Sequence, residues 1–109
     1  MKTTKEINSY ETICIIKPDL NEDSLAKIVE EYQLMLVDKG AQNIITQNRG
    51  RRHLKYIMKK FKDGIYVQMN YDANGEIISV LDKAMKIDER VLRFMTVKNE
   101  VKAKSEVSA

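Results

Sequence analysis

A chain of 109 residues has room for one compact domain and not for two. With 43% hydrophobic and 32% charged residues it reads as globular rather than disordered, and with two Phe and no Trp its core falls to Ile, Leu, Val, Met and Tyr. No apolar run approaches the roughly 20 residues that cross a bilayer, and the first residues lack the apolar stretch of a signal peptide, so a mature cytosolic or stromal protein is expected. The single cysteine, Cys14, cannot form an intramolecular disulfide, which fits a reducing compartment.

The net charge of +3 is modest, but it is concentrated. Arg49 to Lys62 holds seven Lys or Arg and no acid, which leaves the rest of the chain at net −4. Such a segment fits an anionic partner met at one place. It also fits a strand edge kept from pairing by its lysines. Charge alone leaves both readings open.

Residues 1–9 form a polar, loose lead-in. Tyr10 to Lys17, rich in β-branched residues and ended by Pro18, reads as a strand. Asn21 is a helix N-cap, with Glu22 and Asp23 at the positive end of the dipole. Leu25, Ile28, Val29, Tyr32, Met35 and Leu36 share one face of a helix over about 22–39, which Gly40 stops. A strand-like stretch follows from Ala41 to Lys60, with a bulge or bend expected at Gly50. Within it Leu54, Tyr56 and Met58 alternate with Lys55, Ile57 and Lys59. Lys62-Asp63-Gly64 is the expected hairpin turn, and Ile65 to Tyr71 the returning strand. Asn74-Gly75-Glu76 opens a second helix to about Lys86, lined by Ile77, Leu81 and Ala84. Val91 to Lys98 is the last strand, and residues 99–109, without an apolar face, are expected to be a disordered tail.

The order strand, helix, strand, strand, helix, strand predicts an α+β, ferredoxin-like βαββαβ domain over 10–98. Its four-stranded antiparallel sheet carries both helices on one face and leaves the other open to a partner.

Catalytic chemistry finds little to work with. His53 is the only histidine, lies among arginines and has no carboxylate near it in sequence, so it reads as a polar strand-surface residue. Cys14 and one distant His make no metal quartet, and Cys14 is a small core hydrophobe. The four glycines stand alone at turns and form no phosphate loop. The stretch ETICIIKPDL is similar to the opening strand of nucleoside diphosphate kinases, but their phosphate-accepting histidine motif is missing. RNA-recognition modules share the element order, yet Lys62-Asp63-Gly64-Ile65-Tyr66-Val67 lacks their aromatic spacing. Contacts from Arg and Lys to phosphates suit the sequence better than stacked bases.

Gly50-Arg51-Arg52-His53-Leu54-Lys55-Tyr56-Ile57-Met58-Lys59 resembles the signature of the small-subunit ribosomal protein six family: Gly, any, basic, polar, Leu, small, Tyr, any, Ile, polar. Lys55 stands in place of the small residue and Met58 in place of the Ile. Tyr10-Glu11, Lys17-Pro18, Lys39-Gly40-Ala41, Gly64-Ile65-Tyr66 and Arg93-Phe94-Met95 resemble that family in order and spacing, over about 10–98. The likeness is nearest to plastid or cyanobacterial members.

The resemblance implies a non-enzymatic structural constituent of the small ribosomal subunit. It would bind the central domain of small-subunit rRNA together with ribosomal protein eighteen, as a heterodimer. It further implies residence on the ribosome of a plastid stroma or a bacterial cytoplasm, with no cofactor, membrane or small-molecule substrate. By the same resemblance Arg51, Arg52 and Arg93 lie near RNA or the partner. Charge and strand alternation add Arg49, Lys55, Lys59 and Lys98 to the RNA-binding set. Tyr66 and Met95 are expected to pack against the partner protein, the alternative being ordinary sheet packing. The other readings are a ferredoxin-like regulatory or dimerisation module without RNA binding, and a small phosphatase, whose cradle the acidic Pro18-Asp19-Leu20 loop would spoil.

Overall fold

The computed structural model describes residues 7–99. The elements run β1 (Asn8–Ile16), α1 (Glu22–Asp38), β2 (Gln42–Met58), β3 (Phe61–Ala73), α2 (Gly75–Ile87) and β4 (Val91–Lys98). All pairings are antiparallel and the sheet order is β2-β3-β1-β4, the expected ferredoxin-like arrangement. β1 starts at Asn8, two residues earlier than expected, in register with Ala73 and Asp72; Ser9 Oγ donates to Asp72 Oδ1 at 2.8 Å. Residues 1–6 of the expected lead-in, and residues 100–109 of the tail expected over 99–109, lie outside the described residues. Asn99 still belongs to the domain, its N–H donating to the Ser9 carbonyl at 2.8 Å.

Local chemistry sets the helix ends. Asn21 Oδ1 accepts from Ser24 N at 2.7 Å and Asn74 Oδ1 from Ile77 N at 3.1 Å, each satisfying an N–H with no intrahelical partner. At the C-terminus of α1, Gly40 takes φ +101°, its N–H bonding to the Val37 carbonyl while Ala41 N bonds to the Leu36 carbonyl. That paired closure uses a left-handed residue after the cap, which glycine enters without a Cβ penalty.

The core lies between the helices and one face of the sheet. Ile28, Leu36 and Leu81 from the helices meet Cys14, Ile16 and Val67 from β1 and β3, all almost inaccessible. Cys14 is 1% exposed, and burial, with the Asp88 charge adding to it, pushes its thiol up to about 12. The thiol is therefore a packing group and not a nucleophile at neutral pH.

A polar knot closes the α2–β4 turn. Asp88 Oδ2 accepts from Tyr32 Oη at 2.5 Å and Arg90 Nη2 at 2.8 Å, while Oδ1 accepts from Arg90 N and Nε, both at 2.9 Å. Arg90 Nη2 also reaches Glu31 Oε1 at 2.9 Å, so the turn is tied to the middle of α1. These donors hold Asp88 down at about 2, Arg90 first among them. Burial, and the hydrogen bond to Asp88, push the Tyr32 hydroxyl above its ordinary value.

One expectation fails. The reversal between β2 and β3 falls at Lys59-Lys60, with Met58 opposite Phe61, and not at Asp63-Gly64. Asp63 and Gly64 lie inside β3, paired with His53 and Arg52. Gly64 is needed there for space: a Cβ would come within 2.3 Å of Ile15 Cγ2 and 3.3 Å of Leu54 Cδ2. The Asp-Gly pair resembles a turn locally, but its glycine answers a tertiary contact.

Gly50 meets its expectation, with φ +92° and a register shift between Asn48 and Gly50. Asn48 Oδ1 accepts from Gly50 N at 2.8 Å across that bulge, and Arg49 is its extra residue.

Candidate functional site

Strand alternation divides the sheet residues between two faces. Cys14, Val67 and Phe94 lie in one row against the helices. Ile15, Tyr66 and Arg93 lie in the next row, on the open face, and Ile13, Gln68 and Met95 in another. β1 ends at Ile16, opposite Ile65, so β2 and β3 run on beyond it as a two-stranded ribbon over about 52–63. Between His53 and Met58 the register shifts, so that β2 carries extra residues and curls.

The ribbon and the open face enclose a hollow of about 490 Å³. Its floor is apolar: Ile13, Ile15, Leu54, Tyr66 and Met95. Tyr56 and Met58 form the ribbon side, and Arg52, Lys55 and Arg93 supply its charge. Among the described residues, no Asp or Glu lines it. Met95 is 57% exposed and Tyr56 73%, far more than a finished core tolerates. The Arg52 guanidinium carbon stands 5.4 Å from the centre of the Tyr66 ring, a cation–π contact that orients the arginine and covers one ring face.

Of the nine residues singled out from sequence, Arg52, Lys55, Arg93, Tyr66 and Met95 come together at this hollow. Lys59 sits at the ribbon tip and Arg49 in the bulge, both exposed. Two stand elsewhere. Arg51 pairs with Ile65, on the helix side, and its Nη2 donates to the Pro18 carbonyl at 2.9 Å, strapping the root of the ribbon to the β1–α1 loop. Lys98 pairs with Tyr10, on the helix side and at the far end of the sheet from Arg93.

Sequence reading missed Ile13, Ile15, Leu54 and Met58 as site residues; their signal was apolar positions in phase with Tyr66 and Met95. It also left His53 without a carboxylate. The fold supplies one, for the His53 ring Nδ1 is hydrogen-bonded to Asp63 across the ribbon. His53 remains an exposed side chain.

A family model described as ribosomal protein S6 matches residues 9–98 of this chain. The chain belongs to the ribosomal protein S6 family. A relative from Guillardia theta, small ribosomal subunit protein bS6c, is 63% identical over 91 residues, which is 84% of this chain and 95% of that one. The bS6c of Porphyra purpurea is 50% identical over 99 residues, 89% and 88% of the two chains. The bS6 of the cyanobacterium Cyanothece is 46% identical over 88 residues, 81% and 83% of the two. The fold matches the crystal structure of 30S ribosomal protein S6 from Thermotoga maritima with a TM-score of 0.87, covering 94% of this chain and 97% of that one at 22% identity.

Membership in the S6 family makes this a ribosomal protein of the small subunit, structural and not enzymatic, with plastid and cyanobacterial relatives. No helix among the described residues is long and apolar enough to cross a membrane. No group of three or more His, Cys, Asp or Glu among them could hold a metal ion. The departures from the family signature now have positions. Lys55 and Met58 both line the hollow.

Proposed function

We propose that this chain binds the central domain of small-subunit rRNA together with ribosomal protein eighteen, the open sheet face receiving the protein and the basic groups beside it receiving the RNA. The observation that carries this is the hollow, an apolar floor next to an arginine- and lysine-bearing rim to which the described residues contribute no acid. An exposed apolar surface of this kind marks a docking site. Arg52 and Arg93 flank it, and guanidinium groups bind phosphates bidentately and release counterions. A partner seated on Tyr66 and Met95 would bring its own RNA-binding surface next to those arginines, so the two proteins would hold RNA more tightly than either alone.

The test is binding to a central-domain rRNA fragment over a salt series, with and without ribosomal protein eighteen. The intact chain is expected to bind tightly only with the partner. Arg52→Ala/Arg93→Ala is expected to weaken that complex about tenfold and to lower its salt dependence. Met95→Asp puts a charge on an already exposed position. It is expected to reduce heterodimer affinity at least about tenfold, as loss of an apolar contact at the centre of an interface does, with the thermal midpoint unchanged. RNA binding indifferent to the partner, or a heterodimer indifferent to Met95→Asp, would count against this reading.

A further inference from the structure

The ribbon tip has a feature that the hollow does not account for. Lys59 and Lys60 occupy the two central positions of the hairpin reversal with φ of +47° and +77°. Reversals with positive φ at both central residues are met most cheaply by Asn-Gly, because a side chain in the left-handed region crowds the backbone. Two lysines hold the places instead, fully outside the four-stranded body, and Lys62 follows them on the returning strand. From Arg49 to Lys62 no acid dilutes the charge, and Asp63, the first one, is engaged by His53. Strain at an exposed tip that a commoner pair would relieve points to the side chains, and their shared property is positive charge.

We propose that Lys59, Lys60 and Lys62 form a phosphate clasp, the ribbon tip gripping the RNA backbone independently of base sequence. This rests on the RNA-binding reading above and assigns to it two residues, Lys60 and Lys62, that neither signature nor hollow singles out. A phosphate backbone is the occupant because the tip side chains are ammonium groups, the exposed Tyr56 ring lying back along the ribbon at the hollow. The Tyr66 ring stands at the root of the ribbon, opposite Gly50, with Arg52 over one face. Ammonium groups on flexible stems suit point-charge contact with phosphates rather than base edges.

The deciding variant is Lys59→Asn/Lys60→Gly, which installs the favoured turn while removing two charges. It is expected to fold with a thermal midpoint no lower than that of the parent chain. It should form the heterodimer with ribosomal protein eighteen unchanged, yet bind the central-domain rRNA fragment about tenfold more weakly, with a salt slope shallower by about 2. Lys59→Arg/Lys60→Arg, which keeps the charge, is expected to retain affinity and slope. If the parent complex binds RNA and the Asn-Gly variant matches it in affinity and slope, the clasp is overturned while the RNA-binding reading stands. If the parent chain and its partner bind no RNA, that reading falls and the clasp with it.

Discussion

Gly64→Ala is expected to lower the stability of the domain by about 2 kcal/mol, a fall in thermal midpoint of roughly 10 °C for a chain this size. A Cβ at this position would lie 2.3 Å from Ile15 Cγ2, well inside contact distance, and 3.3 Å from Leu54 Cδ2. Leu54 can turn aside because it is only half-buried. Ile15 cannot, since it is β-branched, stiff at its first torsion and only 8% exposed in a central strand. The strands must then separate, or Ile15 must leave its rotamer. Either movement disturbs the floor of the hollow, so binding of the proposed partner should weaken along with stability. Ile15→Ala removes the opposing methyl, and the double variant should be more stable than the sum of the single losses predicts. Urea denaturation of the four proteins in the cycle measures that coupling. Strict additivity would show that the glycine is not held by this contact.

How much of this could be read from the chain alone depends on the range of the force involved. Both helices declared themselves because their signals are local: Asn21 and Asn74 cap within three residues, and Gly40 ends α1 through bonds to Leu36 and Val37. Gly50 was legible for a related reason, since a bulge is a matter of one residue's φ. The ribbon was not. Asp63-Gly64 resembles a turn at short range, but Gly64 is fixed by Ile15, 49 positions earlier, and the strand pairing carries the reversal on to Lys59-Lys60. The lysines there give no turn signal, because they are poor residues for the conformation they adopt. The same limit applies to the site. The cationic run was visible from composition, whereas the hollow between Leu54, Ile15 and Met95 exists only once three strands are in register. Arg51 and Arg52 look equivalent in sequence, yet alternation sends one to the Pro18 carbonyl and the other over Tyr66. Family resemblance added what neither local rules nor charge could supply, the ribosomal context.

Asp88→Asn is expected to cost about 2 kcal/mol at neutral pH, and its cost should disappear in acid. The carboxyl side chain is 10% exposed and accepts hydrogen bonds from Tyr32 and Arg90. Those bonds lower it from the ordinary 3.8 to about 2, and at about 1.36 kcal/mol per pKa unit the difference is about 2 kcal/mol of folding stability. Because the folded value lies below the unfolded one, the unfolded chain takes up the proton first as pH falls. The contribution is therefore complete above about pH 4 and is lost as pH drops through 4 toward 2. Other carboxylates also titrate in this range, so the parent curve alone would not isolate Asp88. The difference between parent and Asp88→Asn, measured by urea denaturation from pH 7 down to about 1.5, does isolate it. It should narrow from about 2 kcal/mol to a few tenths across that window. A difference that stays constant with pH would mean that the cost comes from an amide nitrogen facing the Tyr32 and Arg90 donors and not from the lost charge. The knot would then tie the α2–β4 turn to α1 by hydrogen bonding alone.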